Sequence, residues 1–99
     1  MGKRKVTIFD AASDAVAEVA FFIESKGMPQ TAKKFVDDAF DFFEKLGDER
    51  IVHHLCSYPL WKSLNYRCIT FRRKYTVAYL NLKYEIVICE FLPSKLIYW

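Results

Sequence analysis

The sequence predicts an α+β fold: an N-terminal strand and an antiparallel helical hairpin packed on a mainly antiparallel sheet of about four strands. Three observations carry that prediction. Apolar residues recur at helical spacing through the first half, short β-branched and aromatic runs dominate after residue 65, and a short extended run precedes the first helix. Helices gathered on one face of an antiparallel sheet bury both apolar surfaces together. At 99 residues the chain has room for one domain, spanning 1–99.

Lys5-Val6-Thr7-Ile8-Phe9 reads as the first strand. Asp10 then offers an N-cap, and Ala12, Val16, Val19, Ala20 and Ile23 form a helical stripe. Gly27 suits the position just past a helix end, with Met28-Pro29 following. A second helix opens near Gln30-Thr31, carries Ala32, Phe35, Val36, Ala39, Phe42, Phe43 and Leu46 on one stripe, and closes at Gly47. The very short connection makes the two helices antiparallel. Phe35, Phe42 and Phe43 are expected in the core, with Asp37, Asp38, Asp41 and Glu44 on the solvated side. Residues 48–64 lack a clear period; Asp48-Glu49-Arg50 reads as a polar turn, and Pro59 holds Tyr58 extended. Tyr66–Phe71, Tyr75–Leu80 and Tyr84–Phe91 follow as strands of a meander, joined by Arg72-Arg73-Lys74 and Asn81-Leu82-Lys83. The sheet face turned away from the helices is expected to be open, and function is expected there.

Composition narrows the function classes. Apolar residues at 53% against 27% charged belong to a folded protein and exclude a disordered one. Seventeen aromatic residues offset the limited burial available to so short a chain. Three Gly exclude a glycine-rich phosphate loop. Residues 1–50 carry a net charge of −2 and residues 51–99 a net charge of +5, which points to an anionic partner at the second half. Cys56, Cys68 and Cys89 make no Cys-x-x-Cys pair and are odd in number, so they read as small apolar residues of a reducing compartment. No apolar run approaches a membrane span and no signal-peptide core is present, so a cytoplasmic protein with no membrane partner is expected.

Gly27-Met28-Pro29-Gln30-Thr31-Ala32-Lys33-Lys34-Phe35 resembles the helix–helix junction of the RelE/ParE superfamily, the toxins of type II toxin–antitoxin systems and plasmid stabilisation proteins. Phe43-Glu44-Lys45-Leu46 is similar to the end of that family's second helix. Tyr66-Arg67-Cys68-Ile69-Thr70-Phe71 and Tyr75-Thr76-Val77-Ala78-Tyr79 look like its central strand pair, and Pro93-Ser94-Lys95-Leu96 like the tail of some members. The resemblance covers nearly the whole chain and rests on order and spacing together. It implies a toxin neutralised by a co-encoded antitoxin protein. The target would be translation, through ribosome-dependent mRNA cleavage by an endoribonuclease, or DNA gyrase; a catalytically inactive binding module on the same fold is the alternative.

The resemblance carries Arg67 over to the strand arginine and Tyr98 to the C-terminal tyrosine of the ribonuclease members. Where many relatives have an arginine on or after the last strand, this chain reads Glu90-Phe91-Leu92, which leaves the ribonuclease set short. Metal-free RNA cleavage needs proton transfer at the 2′-hydroxyl and the leaving oxygen, and cations on the phosphate. Lys62, Arg72, Arg73, Lys74 and Lys95 are the candidate nucleic-acid-binding residues, arginine being suited by its planar fork. Several of the candidates have a plainer alternative. Arg72-Arg73-Lys74 also suits a solvated turn that protects a sheet edge, Arg67 an exposed strand position, and Tyr98 with Trp99 a terminal clamp on the core. His53, His54 and Cys56 do not make a metal site, because adjacent histidines seldom share an ion and no second ligand pair is suitably spaced. No cofactor is expected.

Overall fold

The computed structural model describes residues 4–48 and 53–96. Its elements are β1 (Lys5–Ile8), α1 (Asp10–Ser25), α2 (Pro29–Asp48), α3 (Pro59–Ser63), β2 (Arg67–Phe71), β3 (Tyr75–Asn81) and β4 (Glu85–Pro93), with a single 3-10 turn at Ser94–Leu96. The sheet runs β1-β4-β3-β2. β1 lies parallel to β4, pairing Lys5 with Glu85 and Ile8 with Ile88, while β2–β3 and β3–β4 are antiparallel. A bulge falls between Ala78 and Tyr79, where Ala78 pairs with Glu90 but Tyr79 with Ile88. The α+β fold expected of the sequence is therefore present.

Both long helices cover one face of this sheet. Ala12 and Val16 of α1 and Phe35, Ala39, Phe43 and Leu46 of α2 meet Val77, Tyr79, Ile86, Ile88 and Phe91 in the main core. Phe43 is 0% exposed. Aromatic rings set the packing: the Phe35 centroid lies 5.5 Å from Tyr75 and 5.9 Å from Phe71, and Tyr75 stacks on Phe91 at 5.1 Å. Phe42 is only half-buried, at the side of the stripe, 5.1 Å from Phe71. Such pairs add to the stabilisation that their buried area already supplies.

Helix ends differ slightly from the expectation. Phe9, not Asp10, holds the N-cap position of α1, without a side-chain cap, and Asp10 is its first helical residue. Pro29 opens α2 one residue early, where its missing N–H costs nothing. Gly27 ends α1 as expected, at φ +83, with its N–H on the Glu24 carbonyl at 2.9 Å. Gly47 does not end α2. It lies buried within the helix beside β1, where a Cβ would sit 2.8 Å from Val6 Cγ2 and 2.9 Å from the Arg4 carbonyl oxygen. Close approach, not chain reversal, requires glycine there.

The largest corrections concern residues 53–66: 53–55 run along the edge of β2, and 56–66 form a strap across the sheet face opposite the helices. That face is not fully open. Trp61 and Cys56 are buried against Ala78, with Tyr58, Tyr66, Cys68 and Leu92 packed around them. Tyr58 is extended before Pro59 as expected, and Pro59 opens the short α3 that drives Trp61 inward. The Cys56 N–H donates to the Tyr66 carbonyl and the Cys68 N–H to the His54 carbonyl, at 2.9 and 3.1 Å. The strap is thereby laid antiparallel to β2, and Cys56 and Cys68 come to a Cα separation of 5.0 Å and form a disulfide. The reading of three free thiols is thus corrected: Cys89 alone is free, and it is buried. A twelve-residue spacing carries no local signal of pairing, because the strap's return is a tertiary event.

Candidate functional site

Four of the five candidate nucleic-acid-binding residues lie at one end of the sheet, on the β2–β3 turn and just beyond β4. The turn is unusual. Arg72 and Arg73 both have positive φ, 54° and 62°, and the Lys74 N–H closes the turn on the Phe71 carbonyl at 3.2 Å. Glycine and asparagine usually take such positions, because a Cβ there crowds the backbone by roughly 1–2 kcal/mol per residue. Arg72 has structural contacts that offset this. Its guanidinium pairs with Asp38 of α2 and sits over the rings of Phe35 and Phe71, at 5.3 and 5.4 Å. Burial works to raise the Asp38 pKa, but the Arg72 hydrogen bond, with the charges of Lys34 and Arg72, brings it below its ordinary value. Asp38 is therefore a tether for the turn and not a member of a purely solvated face.

Arg73 and Lys74 turn elsewhere. With Lys95 they line a cleft of about 690 Å³ whose other walls are Glu18, Val19 and Phe22 of α1 and Tyr75, Pro93 and Ser94. The Ser94 N–H donates to the Lys74 carbonyl at 2.8 Å, and the Thr76 and Ser94 hydroxyls share a hydrogen bond of 2.8 Å. These bonds hold the end of β4 against the turn and bring Lys95 beside Arg73 and Lys74. Among the described residues none of these three cations makes an ion pair. Glu18 and Phe22 were not singled out from the sequence. A signal existed: Phe21 and Phe22 fall off the α1 stripe, and they are 72% and 61% exposed.

The remaining candidates lie apart from this cleft. Lys62 is exposed on α3, on the strap. Arg67 pairs across the sheet with Tyr79, a residue of the helix-side core, so its side chain leaves β2 on that side. Its guanidinium donates to the His53 carbonyl at 3.1 Å, and His53 Nδ1 shares a 2.5 Å hydrogen bond with the Tyr79 hydroxyl. Tyr98 and Trp99 lie outside the described residues, as do Glu49 and Arg50.

Glu90 belongs to the strap-covered face, paired with Ala78. Burial raises its pKa above the ordinary carboxylate value. Tyr66 is pushed up to about 12 by burial, by its hydrogen bond with Cys89 and by the negative charge of Glu90. Burial likewise raises the Cys89 thiol, with the Tyr66 hydrogen bond opposing. This cluster is adverse to anions: it holds three acidic groups and no cation. Among the described residues no cluster of three or more His, Cys, Asp or Glu is placed to hold a metal ion, and no helix is long and apolar enough to cross a membrane.

The architecture has a counterpart among solved structures. A chain of the chromosomal ParDE TA system from P. aeruginosa superposes with a TM-score of 0.74, covering 92% of this chain and 96% of that one, at 15% sequence identity. At that identity the likeness is one of fold, and it is the ParE-like fold that the sequence resemblance implied. No family model and no curated protein matches the chain.

Proposed function

We propose that residues 1–99 form the toxin component of a type II toxin–antitoxin system, acting in the cytoplasm and neutralised by a co-encoded antitoxin. The observation that carries this reading is the likeness to the ParDE chain, which extends over nearly the full length of both chains. Within that class we favour a ParE-like, gyrase-directed action over ribosome-dependent mRNA cleavage. Cleavage needs cations converging on one phosphate. Arg67 instead donates to the His53 carbonyl on the helix side, apart from the group of Arg73, Lys74 and Lys95, and the opposite face presents Glu90. Those same two facts favour the second reading, an inactive binding module on this fold.

The antitoxin should be acidic or carry an amphipathic segment that covers exposed apolar and basic surface. The test is induction in a bacterial host with and without the neighbouring open reading frame, beside a gyrase supercoiling assay and mapping of mRNA 5′ ends. Growth arrest relieved by the neighbour, with inhibited supercoiling and no new 5′ ends, is the expected outcome. Codon-phased cleavage abolished by Arg67→Ala would establish the ribonuclease, and no effect in any assay would leave the binding module. A bound antitoxin at a thousandfold excess over its Kd should add about 4 kcal/mol to stability.

A further inference from the structure

We propose that the cleft between α1 and the β2–β3 turn is a binding site for a free nucleoside di- or triphosphate. The site stands apart from Arg67 and from the strap-covered face, and it does not depend on the toxin reading. Its chemistry is divided between two walls. One wall concentrates Arg73, Lys74 and Lys95, three cations with no ion-pair partner among the described residues. On the α1 side stand Phe22, a mostly exposed ring with the Lys26 ammonium 5.1 Å from its centroid, and the carboxylate of Glu18. A polyphosphate satisfies the first wall, since arginine binds phosphate through its planar fork and lysine as a point charge. A base stacks on an aromatic side chain whatever its identity, and a carboxylate accepts hydrogen bonds from ribose hydroxyls or from a base amino group. The volume of about 690 Å³ falls within the range of small-ligand clefts.

Two features favour a single nucleotide over a nucleic-acid strand or an acidic peptide. The Ser94 N–H bond to the Lys74 carbonyl keeps Lys95 beside Arg73 and Lys74, so adjacent phosphates of one molecule would meet the three cations together. Glu18 stands on the opposite wall, where a continuing phosphate backbone or a second acidic side chain would be repelled. The turn supplies an independent observation. Arg73 holds a positive φ that glycine would adopt with less strain, and it lacks the Asp38 and ring contacts that anchor Arg72.

The experiment is titration of the whole protein with ATP, ADP, AMP, inorganic phosphate, a five-nucleotide single-stranded RNA and a short acidic peptide, by calorimetry at two salt concentrations. ATP and ADP should bind, AMP more weakly, and inorganic phosphate at least about tenfold more weakly than ADP because it has no base to stack. Arg73→Ala and Lys95→Ala should each weaken ADP binding about tenfold. Phe22→Ala should weaken it about fivefold with the salt dependence unchanged, since stacking carries no charge. Lys33→Ala, on the exposed side of α2, removes the same net charge and should leave binding unaltered. All these positions are exposed, and thermal melts of each variant confirm folding; if Arg73→Ala fails to fold, Lys95→Ala and Phe22→Ala carry the test. Inorganic phosphate as tight as ADP, an equal loss in Lys33→Ala, or tighter binding of the RNA or the peptide than of ATP would each overturn the proposal.

Discussion

The two faces of the sheet are covered by different means. Toward the helices, Val77, Ile86, Ile88 and Phe91 meet two amphipathic helices, and the contact is almost wholly apolar and aromatic. On the other side Ala78, Cys68 and Leu92 lie under a strap with one five-residue helix, one large buried anchor in Trp61 and a disulfide. The second face also keeps Tyr66, Cys89 and the half-buried Glu90 together. A face built by two long helices has enough apolar area to hold itself; a strap lacks that area and uses a cross-link and an anchor ring instead.

The largest expected effect tests the helix side. Phe43→Ala should cost about 3–5 kcal/mol, as for buried aromatics generally, read by chemical denaturation. A cost below about 1 kcal/mol would mean that the α2 stripe does not carry this core. The next test is of the strap. Replacing both Cys56 and Cys68 by Ser should lower stability by about 3 kcal/mol in oxidising buffer, the loop-closure value for a bridge of this span. The difference should vanish once a reductant opens the bridge in the unsubstituted protein. If it persists under reduction, the serines have damaged packing and the bridge itself contributes little. In a reducing cytoplasm the strap would rest on Trp61 and its aromatic neighbours alone.

A smaller effect is expected at the turn that ends the sheet. Arg73→Gly should raise stability by about 0.5–1 kcal/mol, the relief of a positive φ less the entropy that glycine loses on folding. It should weaken nucleotide binding at the same time. Unchanged stability would show that the turn's surroundings already offset the strain. The finest distinction concerns Glu90. Its folded pKa is raised, so the stability associated with the neutral carboxyl is fully present below the ordinary value of 4.5 and lost as pH rises through the folded value. Glu90→Gln stays neutral throughout. It should therefore melt higher than the unsubstituted protein at pH 7, with the excess disappearing below pH 4.5. An excess independent of pH would assign the gain to packing and not to charge.

Legibility followed the same division. The stripe from Ala32 to Leu46, the Gly27 turn and the three late strands could be read because period and turn chemistry are local properties. The strap could not. Pro59 marked its local geometry, but Trp61 on Ala78 and Cys56 beside Cys68 are contacts between distant residues with no periodic trace. The basic set was legible as residue types and not as a site. Arg72 and Arg73 look equivalent in sequence, yet one is tied to Asp38 and the other lines the cleft. Glu18 and Phe22, from the acidic half of the chain, complete that cleft from more than fifty residues before Arg73.

By itself the sequence determined the fold class, the order of elements, the helix-side core and the gathering of positive charge in the second half. Each follows from spacing within ten or so residues, where geometry maps directly onto position. Tertiary structure alone decided which cations line the cleft beside Phe22, that Arg67 turns to the His53 carbonyl, and that the far face is strapped and bridged. Those outcomes depend on the direction in which a side chain leaves a strand and on what a distant segment brings against it. A one-residue shift in register reverses that direction, and the bulge between Ala78 and Tyr79 makes such a shift in this sheet.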